Sequence, residues 1–294
     1  MTKPCNVSES QQFTNLYIFG DSYSDTGNAF KATGGILAAP PNYNGRFSNG
    51  RLWIDYLADS LELSLQPSTA NTSNNQGINF SFGGATTGLD NLFVAVIPDL
   101  PELPGLQQQI HSFTSLLQQN QQSTEPNALY VIWAGTADYA PFVNGVPKYS
   151  DPITTITNIS TAIKALTEFG AKNILLVNVI DIGKTPLASE VNQITDAKSV
   201  SQVVKKHNQA LQEIAHIFED KINLILFDVK SVLDEAIAHP KKFGFTNTTQ
   251  ACSLIESSNP DEYVFWDQVH LTSRANQLIA NAALAILRPR PLYS

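Results

Sequence analysis

Five short runs rich in β-branched and aromatic residues set the strongest constraint on this chain: Leu16–Phe19, Ile78–Phe82, Ala128–Trp133, Asn173–Asn178 and Ile222–Asp228. They read as continuous apolar runs rather than alternating ones, which is what strands of a parallel sheet covered on both faces require. Between them lie segments whose apolar residues recur every three or four positions. Trp53, Tyr56, Leu57 and Leu61 form one; Ile156, Ile159, Ile163, Leu166 and Phe169 another; Val203, Val204, His207, Leu211, Ile214 and Phe218 a third. Gly170, directly after Phe169, suits the left-handed residue that closes a helix before the next strand. Strand and helix in alternation predict an α/β domain of three layers with right-handed crossovers.

The 294 residues exceed an average domain, but α/β domains of this size are common, and no repeat, charge block or long linker divides the chain. We therefore expect one domain over 1–294, with 1–14 as a flexible leader. Met1–Thr14 is polar and lacks the apolar core of a secretory signal, and no stretch has the length of a membrane span. The native compartment stays open, since a signal can precede the sequence in hand. Gln66–Gln76, rich in Ser, Thr and Asn, reads as a surface loop. Leu89–Leu106 is apolar, and Pro98, Pro101 and Pro104 exclude a regular helix there; it is either a packed loop or a cleft wall or lid for an acyl chain.

A formal net charge of −8 argues against nucleic acid and anionic membrane surfaces, both of which need clustered Lys and Arg. Cys5 and Cys252 are too few for a disulfide framework or a closed zinc site, and either free thiols or one bridge fit them. The paired glycines at 34–35 and 83–84 lack the spacing that would cradle phosphates, and no nucleotide fingerprint or metal-ligand cluster appears in the sequence.

The first strand runs into Gly20-Asp21-Ser22-Tyr23-Ser24-Asp25-Thr26-Gly27-Asn28. Ligands of parallel α/β sheets gather at the carboxyl ends of strands, and Ser22 sits there, either as a helix cap or as a nucleophile. A nucleophilic serine needs a base. Of His111, His207, His216, His239 and His270, the last differs in having an aspartate three residues ahead, Asp267, in Phe265-Trp266-Asp267-Gln268-Val269-His270. One carboxylate in so tight a turn can hold the imidazole tautomer and stabilise the imidazolium.

Together with Asn79-Phe80-Ser81-Phe82-Gly83-Gly84-Ala85 and Trp133-Ala134-Gly135-Thr136-Ala137-Asp138-Tyr139, these blocks resemble the GDSL lipases and esterases, the SGNH hydrolases, in that family's order. Pro40 to Trp53 resembles a segment of its plant-type and bacterial lipase branch, and Tyr23 stands where the family name has Leu. The resemblance implies a flavodoxin-like sheet of about five parallel strands and acyl transfer without a cofactor. Ser22 would attack an ester carbonyl, His270 would take its proton, and Asp267 would support His270. It further implies an oxyanion hole made of the Ser22 N–H, an N–H of the glycine block and an asparagine amide. Gly83 is the expected second donor, with Gly84 as the alternative register.

The third donor is missing. Where the family has Gly-x-Asn-Asp the chain reads Gly135-Thr136-Ala137-Asp138, so Ala137 holds the asparagine position with nothing to donate. An engineered change, a natural variant with another donor such as the Thr136 hydroxyl, and a degenerate enzyme are the three explanations; the intact serine, aspartate and histidine favour the first two. Asp138 reads as structural. The expected activity is hydrolysis of a small-molecule or lipid ester, including acetylated carbohydrate. The rivals are an acyltransferase on the same residues and a binding protein with impaired chemistry. Oligomeric state, acyl length and alcohol are not legible.

Overall fold

The computed structural model describes residues 13–70, 76–139, 151–190 and 197–288. Its strands are β1 (Asn15–Gly20), β2 (Gln66–Pro67), β3 (Gly77–Asn79), β4 (Ala128–Trp133), β5 (Asn173–Val177), β6 (Asn223–Phe227), β7 (Asn247–Ala251) and β8 (Tyr263–Phe265). The α-helices are α1 (Asn28–Ala32), α2 (Trp53–Ser60), α3 (Leu92–Val96), α4 (Leu106–Gln119), α5 (Ile153–Glu168), α6 (Pro186–Glu190), α7 (Ala197–Phe218), α8 (Val229–Ala238), α9 (Pro240–Phe243) and α10 (Ser273–Leu287). Six strands form one parallel sheet in the order β2-β3-β1-β4-β5-β6, and β7 and β8 form a separate parallel pair.

Strand β4 shows why its sequence is apolar throughout. Leu129, Val131 and Trp133 enter one core with α2, α8 and α10, while Ala128, Tyr130 and Ile132 enter the opposite core with α4, α5 and α7. Every residue of this strand is buried, so alternation would place polar groups in one of the two cores. Toward the sheet's other side the rule relaxes. In β3 and its continuation Ile78, Phe80 and Phe82 alternate with the buried Asn79 and Ser81, and the Asn79 side chain donates to Ser24 O at 2.6 Å and accepts the Ser81 N–H at 2.9 Å. The sequence reading of that run as uniformly apolar is corrected accordingly.

Three further expectations change. The sheet has six strands, not about five, because Gln66–Pro67, read as loop, adds a two-residue edge to β3; residues 71–75 of that loop lie outside the described residues. Pro98 does not prevent α3, which ends before it. Phe13 and Thr14, assigned to the leader, are anchored: Phe13 is buried in the core, and the Thr14 N–H donates to Asn127 O. Residues 1–12, with Cys5, lie outside the described residues; Cys252 is a buried free thiol. Among the described residues no helix is long and apolar enough to cross a membrane.

The chain moves from β1 to β3 on one side and returns to β4 on the other, so a crevice opens above β1, the position where such sheets bind ligands. At the tip of β1, Gly20 has φ 145°, and a Cβ there would lie 1.8 Å from Trp133 O. Its N–H donates to Gln109 Oε1 at 2.8 Å, and Gln109 Nε2 donates back to Gly20 O at 2.9 Å. Gly20→Ala should therefore cost at least about 3 kcal/mol of unfolding free energy through the backbone clash. Denaturant titration should show the midpoint falling at constant slope; a loss below about 1 kcal/mol would contradict this close packing.

Candidate active site

Directly above Gly20 the chain turns, and Ser22 Oγ lies 2.8 Å from His270 Nε2. The other ring nitrogen, Nδ1, is 2.7 Å from Asp267 Oδ2. Asp267 Oδ1 accepts the N–H groups of Val269 at 2.9 Å and His270 at 2.7 Å, which fixes the carboxylate within its own turn. The turn is closed by Trp266 N–H to His270 O at 2.8 Å and placed between β8 and the start of α10. Thus Ser22, His270 and Asp267 are brought together. Ser22 caps no helix; the Asp25 carboxylate receives the N–H groups that open α1.

Burial alone would depress the His270 pKa, but the Asp267 charge and hydrogen bond outweigh it and hold the imidazole above its ordinary value, with a smaller push from Asp21. Burial likewise would raise Asp267, and His270 with the two turn N–H groups holds it below the usual carboxylate range. A hydroxyl facing such a ring can pass its proton to nitrogen while the carboxylate balances the charge. Beneath it, burial pushes Asp21 up to about 7 against the opposing Tyr23 N–H.

The two glycines of the doubled block differ in their bonding. The Gly83 N–H, the expected second donor, donates to Asp25 Oδ2 at 2.8 Å. Among the described residues the N–H groups of Gly84 and Ser22 meet no acceptor. Gly84 has φ 76°, and a Cβ there would meet Asn91 Oδ1 and the Phe93 ring, each at 2.7 Å. The loop after β4 is tied to this block: Asp138 accepts Thr87 N–H at 2.9 Å and Thr87 Oγ1–H at 2.7 Å. Burial pushes Asp138 up to about 6 against these Thr87 bonds. Ala137 opens the short helical turn at 137–139, and the neighbouring Thr136 Oγ1 is buried without a partner among the described residues.

Residues 16–283 match the family described as GDSL-like lipase/acylhydrolase. The chain belongs to that family. It is 28% identical over 291 residues to the phosphatidylcholine-sterol acyltransferase of Aeromonas hydrophila, covering 95% of this chain and 80% of that protein. It is 27% identical over 315 residues to GDSL esterase/lipase 5 of Arabidopsis thaliana, covering 91% and 81%. A crystal structure of a lipolytic G-D-S-L family protein from Veillonella parvula DSM 2008 shares the fold, with a TM-score of 0.50 and 17% identity over 92% of this chain and 97% of that one.

Within this GDSL-family fold, Phe47 was not singled out by sequence. Its ring sits 5.1 Å from that of His270 and stacks on Phe93 at 5.7 Å, so Leu89–Leu106 and the segment around Phe47 make one apolar wall beside the serine. Asn42 and Ser48 brace the histidine turn by accepting from Trp266 Nε1 at 2.9 Å and donating to Leu271 O at 2.8 Å. The other histidines stand apart. His216 and His239 have carboxylates nearby, Glu219 at 3.0 Å and Glu235 at 3.9 Å, but these pairs are exposed. His207 is buried, with Nδ1 2.8 Å from the Tyr139 hydroxyl, and burial pushes it down to about 3. No group of three His, Cys, Asp or Glu side chains suited to a metal occurs among the described residues.

Because Asp138 is the acceptor for two buried Thr87 donors, Asp138→Ala should cost about 3 kcal/mol, the range for unpairing buried groups of a charged network. Thr87→Val in the same background should cost much less than it does alone, a coupling that a double-mutant cycle in denaturant reads directly. Additive effects would show that the two loops are not joined there.

Proposed function

We propose that this GDSL-family protein hydrolyses carboxylic esters through an acyl-enzyme on Ser22. The observation that carries the reading is the unbroken hydrogen-bonded line from Asp267 to His270 to Ser22, with links of 2.7 and 2.8 Å. Ser22 Oγ attacks the ester carbonyl carbon while its proton passes to His270 Nε2. The tetrahedral oxyanion is held by the free N–H groups of Ser22 and Gly84. Collapse expels the alcohol, which leaves with the proton from His270. Water, deprotonated by the same ring, then releases the acid and restores the serine.

Ala137 removes the third oxyanion donor, which is worth roughly a hundred- to a thousandfold in turnover in a comparable hydrolase. The remaining machinery supports slow rather than absent catalysis. The wall of Phe47 and Phe93 is suited to the apolar part of an ester. A second reading, acyl transfer to an alcohol, is favoured by the relative named an acyltransferase. An added acceptor alcohol that diverts the acyl group into new ester rather than free acid would decide for it.

Cleavage of nitrophenyl acyl esters should fall at least about a thousandfold in Ser22→Ala and rise about ten- to a hundredfold in Ala137→Asn. Ester cleavage that survives Ser22→Ala would overturn the reading. Failure of Ser22 to react with an organophosphonate even in Ala137→Asn would favour a binding protein with lost chemistry.

The pH profile gives a separate check. Only neutral His270 accepts a proton, and Asp267 stabilises the charged ring, so kcat/KM should climb through an acid limb centred above the ordinary histidine value of about 6.5. Asp267→Asn removes that charge; it should slow turnover by about ten-thousandfold and move the limb to lower pH. A limb that stays in place would show that Asp267 does not act on the ring.

A further inference from the structure

The peptide unit joining Val269 to His270 is gripped at both ends. Its N–H donates to Asp267 Oδ1 at 2.7 Å, and its carbonyl accepts from the Tyr23 hydroxyl at 2.9 Å. The first of these bonds lies within the histidine turn, but the second comes from the residue that follows Ser22, 246 positions away. The phenol is itself held, buried at 3% exposure and stacked on Trp133 with centroids 4.9 Å apart and planes 13° apart. Its ring also lies 5.7 Å from that of His270.

We propose that Tyr23 is a positioning residue that sets the distance between Ser22 and His270, by tying the serine's turn to the backbone of the histidine it must meet. This rests on the reading of Ser22 and His270 given above. The bond that matters is between Ser22 Oγ and His270 Nε2, each on a separate loop. The Asp267 contacts orient the ring within its own loop but do nothing to hold that loop against the serine. Trp266 and Leu271 are braced by Asn42 and Ser48, which belong to a third segment. Among the bonds described, the Tyr23 hydroxyl alone reaches from the serine's turn into the backbone of the histidine turn.

A leucine, the residue of the family motif, offers no hydroxyl for this contact. Burial, reinforced by the Asp21 and Asp267 charges, keeps the phenol pKa well above its ordinary value, so it stays a donor throughout the working range of the enzyme. Because near-attack geometry is sensitive to displacements below 1 Å, the expected loss is one of rate rather than of binding.

The test compares the parent, Tyr23→Phe and Ser22→Ala in hydrolysis of a nitrophenyl ester and in inactivation by an organophosphonate. Tyr23→Phe keeps the ring and removes only the hydroxyl. It should lower kcat and the inactivation rate by the same factor, about tenfold, with KM within about twofold and Tm within about 3 °C of the parent. Tyr23→Leu lacks the hydroxyl too; it serves if the Phe variant does not fold, and should lose at least as much in kcat. With Ser22→Ala inactive, a Tyr23→Phe enzyme whose kcat stays within about twofold of the parent overturns the clamp and leaves the ester-hydrolase reading standing. A fall in kcat that comes only with a matching rise in KM or collapse in Tm makes the phenol merely structural and also overturns it. Full activity in Ser22→Ala overturns the reading and the clamp together.

Discussion

Strand β1 is hydrogen-bonded along both edges and buried on both faces, and its last residue must be glycine for the strand to end where it does. With no side chain at Gly20, Trp133 O can approach to within contact, and the Asp21 N–H can donate to it at 3.2 Å. That closeness brings the turn of Ser22 and the loop of Gly135–Tyr139 up from adjacent strands side by side. The candidate site is arranged around this one edge. The core below supplies stiffness, and the crossover topology supplies the opening.

The loops at that edge are held by buried carboxylates as well as by apolar contact. Asp25 accepts four N–H groups, those of Gly27, Asn28, Ala29 and Gly83, and Asp138 joins the glycine block to the loop after β4. Burial drives both acids up to about 6 against the pull of those donors. Keeping a charge so far from water is unfavourable unless its partners are already in place. The same donors that offset this penalty fix the backbone of both loops before any substrate arrives. In this site a polar network performs the task that side-chain packing performs in the sheet, and it does so with direction, leaving particular N–H groups free.

How much of this could be read from the chain follows from the range of the forces involved. Strands β1, β3, β4, β5 and β6 and helices α2, α5 and α7 were legible because burial on one or both faces writes itself into consecutive residues, whereas β7, β8, α4 and α8 were not read. Strand β2 was not, since two residues at an edge carry no pattern, and α3 was hidden by prolines that lie beyond its end. Ser22, Asp267 and His270 were found through local motifs, and the structure brings them within hydrogen-bond reach. The choice between Gly83 and Gly84 could not be made in the same way. On the proposed reading it turns on an acceptor, Asp25, that stands 58 positions away and takes one of the two N–H groups. Phe47 escaped for a related reason: its aromatic ring carries no signal of its own until folding sets it on His270.

On the proposed reading, Ala137 separates a position aimed at a reacting atom from the frame that presents it. The frame is intact: Asp138 still binds Thr87, and Tyr139 still meets His207, so the backbone on either side of the alanine is anchored by bonds that do not involve its side chain. On that reading, a methyl in place of an amide leaves these bonds in place and acts on the barrier to the oxyanion. Residues that bind backbone are felt in stability, while residues aimed at a reacting atom are felt in rate. On the proposed reading the two functions sit on neighbouring residues here, Asp138 and Tyr139 binding the frame and residue 137 facing the oxyanion.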